Sequence, residues 1–337
     1  MDERMLRARG GRRLGAGGWA VVGLAVSVAL PWLGRWFWWA ELSAHFVAQY
    51  AVAAFVAALV LAGRNRPVLA AAALVVFIVQ VVRLAPLWTP PDPRPLLDAE
   101  QLTITQVNVN FKHRDPRQVI EWVLEQDPDV AVLIEVTRAW TEPMAPLRAR
   151  YPKAAVGISP DGSGIAVFTK DPASVLRLES LVDRWCPAIV LDLPRPSGPS
   201  PLAMLATHLR SPVTPGDARV RNRQLAALAR RIASEPALNK VVVGDLNVSR
   251  WSPWFSDLAT AGGVRDGQEG FGFAASWPSA LGRWLGIPID QTLVSSGIRV
   301  VQRTVGPNLG SDHLPVTTTI EFSRGMGVGA DDRDFAA

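Results

Sequence analysis

Apolar residues are distributed in two ways along this 337-residue chain. In the first 89 residues they form long runs, about Gly17 to Leu33, about Leu42 to Leu61 and about Val68 to Leu87. Each is close to the roughly 20 residues that a helix needs to cross a bilayer. Downstream they come in short runs ended by polar groups, with helical patterns between them. Leu102 to Val107, Val130 to Ile134, Gly164 to Thr169, Ala188 to Leu193, Leu202 to Thr207, Val241 to Val243, Ile289 to Val294 and Pro315 to Phe322 read as strands. Near-continuous apolar runs of this kind suit strands buried on both faces. Arg117 to Glu125, introduced by Asp115-Pro116, and Ala218 to Ala233 read as helices, the second with Arg219, Arg223, Arg230 and Arg231 as its polar complement.

The two patterns predict an organisation. Residues 1–88 form a membrane anchor of three transmembrane helices, 89–100 a Pro-rich spacer, 101–322 a strand-and-helix domain, and 323–337 a disordered, Gly- and Asp-rich tail. Trp19, Trp32, Trp36, Trp38, Trp39 and Trp88 lie near the span ends, where amphipathic rings favour the interface. A cleaved signal peptide and buried soluble helices are the competing readings of these stretches. The lack of a clear small-residue cleavage site and the two further spans argue against the first. Two spans run nearly uncharged for their full length, which argues against the second.

Charge adds an orientation. Arg4, Arg7, Arg9, Arg12 and Arg13 precede the first span, Arg64 and Arg66 separate the second from the third, and the first connection holds only Arg35, offset by Glu41. The positive-inside bias then puts the N-terminus and second loop in the cytoplasm, and everything after about Leu87 on the outer side of the cytoplasmic membrane. The net charge of +5 belongs to the anchor. Residues 1–89 carry nine arginines against three acidic residues, whereas the remaining 26 basic and 27 acidic residues come to −1. The domain lacks the strong positive field of a tight nucleic-acid binder. Cys186 is the only cysteine, which excludes an intrachain disulfide and a thiolate metal cluster.

Several strand ends deliver a polar group: Asn108, Glu135, His208, Asp245 with Asn247 just past the Val241–Val243 run, and Asp312 with His313. The set is rich in oxygen donors, which suits a divalent cation, Mg²⁺ first and Mn²⁺ or Ca²⁺ as alternatives. The ordered motifs Gln106-Val107-Asn108-Val109-Asn110, Pro128-Asp129-Val130 with Glu135, Thr207-His208-Leu209-Arg210-Ser211-Pro212, Gly244-Asp245-Leu246-Asn247, Ile289-Asp290 and Ser311-Asp312-His313-Leu314-Pro315 together resemble the endonuclease/exonuclease/phosphatase superfamily, with its DNase I-like fold. Trp251-Ser252-Pro253-Trp254-Phe255 and Ser276-Trp277-Pro278 resemble its bacterial membrane-anchored branch.

The resemblance covers about Leu102 to Phe322. It implies a four-layer α/β sandwich of two packed mixed sheets flanked by helices, and metal-dependent hydrolysis of a phosphodiester or phosphomonoester. By resemblance, Glu135 is the principal metal ligand, with Asn108 and Asp312 near the metal. Asp245 orients or deprotonates the attacking water, and Asn247 places water and phosphate. His313 contacts a phosphoryl oxygen and is oriented by Asp290. His208 contacts phosphate or assists the leaving group, and Arg210 contacts phosphate. One departure is that Gln291-Thr292 follow Asp290 where many relatives carry His or an aromatic residue, which bears on substrate preference. The expected substrate is a phosphate ester of a lipid, a sugar or a nucleic acid, and no protein partner is evident. An extracytoplasmic nuclease and a non-catalytic scaffold on the same fold are the alternatives. Trp251, Trp254, Trp277 and Trp284 could line the cleft mouth, touch lipid or pack in the core.

Overall fold

The computed structural model describes residues 15–89, 99–113, 115–159, 162–182, 186–193 and 201–323. The N-terminal arginine cluster, most of the Pro-rich spacer, Asp161, the 194–200 turn and the tail from 324 lie outside the described residues.

The chain opens with helix α1 (Ala16–Ala29), extended by a 3-10 turn to Arg35, then a short α2 (Trp38–Leu42), α3 (Val47–Gly63) and α4 (Pro67–Leu84). Three helical stretches, Ala16–Arg35, Trp38–Gly63 and Pro67–Leu87, have the length and apolar composition to cross a membrane. Their mutual contacts use small residues, with Ala51, Ala54 and Ala58 on α3 and Ala73 on α4 buried. Val52, Val56, Val75 and Val82 face outward and stay exposed, which hydrocarbon tolerates and water does not.

A sandwich follows. Its elements are β1 (Ala99–Asn108), α5 (Arg117–Gln126), β2 (Val130–Ile134), α6 (Ala145–Arg150), β3 (Lys153–Gly157), β4 (Ile165–Thr169), β5 (Val175–Ser180), β6 (Pro187–Leu193), β7 (Leu202–Thr207), α7 (Pro215–Ala233), β8 (Asn239–Asp245), α8 (Pro253–Gly262), β9 (Val264–Asp266), α9 (Gly282–Leu285), β10 (Asp290–Ser295), β11 (Ile298–Val305) and β12 (Val316–Ser323). Two six-stranded sheets form, ordered β11-β12-β1-β2-β4-β3 and β5-β6-β7-β8-β10-β9. Each contains one parallel pair, β1 with β2 and β7 with β8, flanked by antiparallel neighbours. The two halves thus repeat one pairing plan that leaves no repeat legible in the sequence.

Side-chain alternation builds the layers. Val241 and Val243 point into the space between the sheets with Ile104, Val132 and Ile189, while Val242 points out against α7 and α8 with Leu228 and Leu258. On the far side Ala131 and Leu133 meet Val119 and Val123 of α5 and Leu147 of α6. Strands covered on both faces must be apolar at every position. Each such Val or Leu contributes roughly 1.5–3 kcal/mol by leaving water.

Strands β3, β5 and β11 escape the pattern because they lie at sheet edges, β5 and β11 with interspersed polar residues and β3 as a short run of small residues. Helix α7 begins at Pro215, three residues before the apolar pattern does, because the Thr214 hydroxyl accepts a hydrogen bond from the Asp217 backbone N–H and caps it.

The apolar helices dock on the sandwich through polar contacts. Glu41 is fully buried. One of its carboxylate oxygens accepts from the Arg221 guanidinium at 2.9 Å, the other from the Ser252 hydroxyl at 2.7 Å. Nearby, His45 Nδ1 lies 2.8 Å from the Ser249 hydroxyl. Arg35 forks onto Asp257, and the Trp251 indole donates to the Arg83 carbonyl. Arg35 and Glu41, read in the sequence as a charge offset in a loop, are docking residues. Arg221 adds to the reading of α7. It sits on the buried stripe with Ala218, Leu225 and Leu228, whereas Arg231 braces Glu179 and Glu235.

Candidate active site

The site lies where the carboxyl ends of both parallel pairs meet the amino ends of their antiparallel neighbours. Asn108 ends β1, Glu135 follows β2, His208 follows β7 and Asp245 ends β8. Asp290 begins β10 directly opposite Asp245 in the strand register, and Asp312 and His313 precede β12. Asp245 is therefore the last strand residue, not the first loop residue: β8 extends past Val243 because it pairs with β10 as far as that position.

Local backbone geometry aims these groups. Glu135, Asn247 and Asn110 have positive φ angles of 68°, 50° and 56°. For residues with a Cβ this left-handed conformation costs on the order of 1–3 kcal/mol each and collects at functional sites. Gly244 has φ 150°, and a Cβ there would sit 1.8 Å from the Thr207 carbonyl oxygen, so only glycine lets β8 run this close to β7 just before Asp245.

Hydrogen bonds hold the groups in register. Asn108 donates from its amide nitrogen to Glu135 Oε1 at 2.9 Å and to Asp245 Oδ2 at 3.1 Å, while its amide oxygen accepts from the Asn110 backbone N–H. The other Glu135 oxygen accepts from the Phe111 N–H at 2.9 Å. Asp245 Oδ1 accepts from the Asn247 N–H, and Asn247 donates its side-chain amide to the Leu209 carbonyl. The Asn247 carbonyl accepts from Arg221 at 2.7 Å, so the anchor-bound guanidinium also props the left-handed turn. The Ser311 hydroxyl donates to the Asn108 carbonyl and accepts from the His313 N–H, tying the last loop to the first.

The histidines have defined roles for each nitrogen. His313 Nδ1 is 2.8 Å from Asp290 Oδ2, leaving Nε2 3.6 Å from Asp245. His208 Nδ1 donates to the Gly162 carbonyl at 3.1 Å, leaving Nε2 3.8 Å from Glu135 and 3.7 Å from Asp245. Burial, then the Asp290 charge, push the Asp245 carboxyl up to about 6. Burial works against the His313 cation, but the Asp290 and Asp245 charges outweigh it and raise this group to about 10. Asp290 is buried too, yet the facing His313 holds its carboxyl below the usual range.

Glu135, His208 and Asp245 offer three ligand atoms within 4.8 Å of one another, and Asp245, Asp290 and His313 do the same. In the second group Asp290 is committed to His313, which leaves Glu135 of the first, an oxygen donor facing Asp245 and His208, as the residue best suited to hold a hard divalent cation. Cys186 is buried elsewhere, in the layer between the second sheet and α7. Asp312 stands apart from both groups, its carboxylate accepting from the Trp277 indole at 3.3 Å. Arg210 reaches the same cavity, half exposed and hydrogen-bonded to Asp217.

The cavity above these groups measures about 1100 Å³. Besides the polar set it is walled by Leu42, Phe46, Val213, Val220 and Ile287. Two of these come from the anchor. The sequence reading missed them, along with Arg221 and Phe111, and gave Ser311 no role within its motif. Arg221 does leave a signal, an arginine at a core position of an amphipathic helix. So does Glu41, the one acid among the three spans.

Comparison with known proteins agrees with this fold. No curated protein sequence matches the chain. Solved structures do. A Bacteroides thetaiotaomicron endonuclease/exonuclease/phosphatase family protein superposes with a TM-score of 0.54 at 14% identity, over 67% of this chain and 100% of its own. TDP2 of D. rerio, complexed with single strand DNA product, gives 0.53 at 17% identity, over 65% and 98%. The 3′ phosphatase NExo from Neisseria gives 0.51 at 20%, over 64% and 98%. The sequence model of the Endonuclease/Exonuclease/phosphatase family matches residues 105–313, spanning every site residue from Asn108 to His313. The chain therefore belongs to the endonuclease/exonuclease/phosphatase family of metal-dependent phosphate-ester hydrolases, and carries that fold behind three apolar helices.

Proposed function

We propose that the chain is a membrane-anchored phosphoesterase whose hydrolytic centre is Asp245, Asn247, His208, His313 and Asp290. One observation carries the reading: Glu135, His208, Asp245 and His313, delivered by four separate strand ends, line one cavity, where the Asp245 carboxyl, pushed up to about 6, lies 3.6 Å from a His313 imidazole raised to about 10. Pairs of titratable groups pushed apart in this way mark base and acid roles. Glu135 would hold a divalent cation, Mg²⁺ in the first instance, supplying Lewis acidity and a template for the phosphate, with Asp312 on the wall of the same cavity.

The chain's own residues do the rest. Asp245 orients a water and takes its proton as the water oxygen bonds to phosphorus. The bond from phosphorus to the leaving ester oxygen breaks, and that oxygen takes a proton from His208 or solvent. His313 stays cationic against Asp290 and donates from Nε2 to a phosphoryl oxygen as charge builds there. Asn108 donates to both Glu135 and Asp245, so its part is to fix their spacing. Asn247 places water and phosphate, and Arg210 can leave Asp217 to meet the phosphate. The test is turnover of bis(p-nitrophenyl) phosphate by the full chain in detergent with Mg²⁺. Asp245→Asn should abolish it with the fold intact, and full activity in that variant would overturn the mechanism.

The positive-inside bias supports a catalytic region outside the cytoplasmic membrane, since Arg64 and Arg66 join the ends of α3 and α4 remote from the sandwich contacts. A reporter fused after Ala337 and active only in the cytoplasm would overturn this placement. A nuclease is the second reading, favoured by the fold shared with TDP2 in its DNA complex. It predicts nucleic-acid affinity falling steeply with salt.

A further inference from the structure

The anchor builds part of the catalytic cavity. Leu42 and Phe46, at the start of the second membrane-length stretch, line it together with His208, Asp245 and His313. On the opposite wall Val213 is 73% exposed and Ile287 is buried. A second cavity of about 520 Å³ begins at the same junction and runs down α3, walled by Val52, Val56 and Val60 against Trp284 and Leu285 of α9. Gln49, which lines the second cavity three residues after Phe46, donates to the Leu285 and Gly286 carbonyls at 2.9 and 2.7 Å. Trp284 and Leu285 are 68% and 62% exposed, beside a helix whose outward face is itself apolar.

A soluble phosphate ester uses none of this. Val60 lies more than three helical turns beyond Phe46, deep in a membrane-length helix. The apolar surface therefore extends from the reacting groups toward the hydrocarbon, where only an amphiphile has matter to place.

Resting on the phosphoesterase reading above, we propose that the substrate is a bilayer lipid carrying an esterified phosphate. The phosphate sits at Asp245, Asn247 and His313, the first carbons of the chain lie against Leu42, Phe46 and Ile287, and the remainder follows the α3 groove past Trp284. Membrane residence then presents substrate at two-dimensional concentration, and the near-neutral charge of residues 90–337 is no handicap. Hydrolysis proceeds as above: water oxygen joins phosphorus, the ester oxygen departs with a proton, and no further reactant is needed.

The test uses the full chain in detergent micelles with Mg²⁺ and three probes: phosphatidylglycerol in mixed micelles, its deacylated counterpart glycerophosphoglycerol, and bis(p-nitrophenyl) phosphate. The expected result is a kcat/KM for the acylated diester at least tenfold above the deacylated one. Val213→Asp and Trp284→Ala, both at exposed positions, should lower the ratio of lipid to aryl-ester turnover severalfold. Equal rates on the acylated and deacylated diesters, or aryl-ester turnover with an inert lipid, would overturn the lipid assignment and leave the hydrolase standing. Inactivity on all three would overturn the hydrolase reading, and this inference with it. An unchanged ratio in both variants would overturn the assigned chain path.

Discussion

Two buried carboxylates in this protein are handled in opposite ways. Glu41, at the junction between membrane helices and sandwich, is matched on both oxygens, by the Arg221 guanidinium and the Ser252 hydroxyl. Asp245, on the catalytic floor, touches no cation at hydrogen-bond distance. It has a backbone N–H, the Asn108 amide and a facing Asp290 that opposes its charge. Glu41 is matched by hydrogen-bond donors on both oxygens, while burial and Asp290 push the Asp245 carboxyl up to about 6. A buried ion pair is expensive to break but contributes little beyond holding a geometry. A carboxylate with a raised pKa is costly to keep ionised and becomes useful as a base near neutrality.

The largest expected effect separates them by activity. Asp245→Asn should lower aryl phosphodiester turnover by about 10²–10⁴-fold, the usual contribution of a positioned base, with no loss of stability. The linkage has a definite sign. A carboxyl raised to about 6 from 3.8 makes the native state bind the proton more tightly, so ionisation costs stability as pH rises from about 4 to 6. The Asn variant without metal should equal or exceed the parent in urea unfolding at pH 7–8, with the difference gone by pH 4. A destabilised variant at pH 8 would erase the distinction between the two carboxylates.

Glu41→Gln makes the converse test. It leaves Arg221 buried with half a partner and should cost up to about 3–5 kcal/mol, the range for breaking a buried pair. Activity should fall less, through the Asn247 turn that Arg221 props. Stability measured in detergent by thermal unfolding checks it, and an unperturbed midpoint would show the junction to be dispensable. A fragment beginning near Leu97 should be unstable for the same reason.

Asp290→Asn sharpens the catalytic side. Without its partner His313 should titrate well below about 10, so the alkaline limb of the pH–rate profile should move toward neutrality. An unmoved limb would assign that limb to another group. The smallest effect is expected at half-exposed Arg210, where Arg210→Ala should raise KM a few-fold with kcat nearly unchanged, as for loss of a screened contact worth about 0.2–1 kcal/mol.

Most of the reacting set was legible because strand ends announce themselves: an apolar run followed by Asp, Glu, Asn or His. Strands β1, β2, β7 and β8 carry that signature, whereas β10 begins with its polar group Asp290 and β12 follows Asp312 and His313. The edge strand β5 does not, since it is mostly exposed and reads as polar loop. Arg221 was not singled out in the sequence, although its spacing with Leu225 and Leu228 marks a core position. The orientation of Asn108 was not legible either. Its amide nitrogen faces the carboxylates because the Asn110 N–H, in a left-handed turn, claims its oxygen.

By itself the sequence determined what local patterning encodes: three membrane-length helices, alternating strands and helices, and the order of the polar groups at their ends. These follow from periodicity and from the cost of burying unpaired polar atoms, which act over a few neighbouring residues. Only the tertiary structure decided that Glu41 meets Arg221 across 180 positions, that Asp245 faces Asp290 across β8 and β10, and that Leu42 and Phe46 wall the catalytic cavity. Those juxtapositions depend on how two sheets and a helical anchor pack together, and no window of sequence contains both partners.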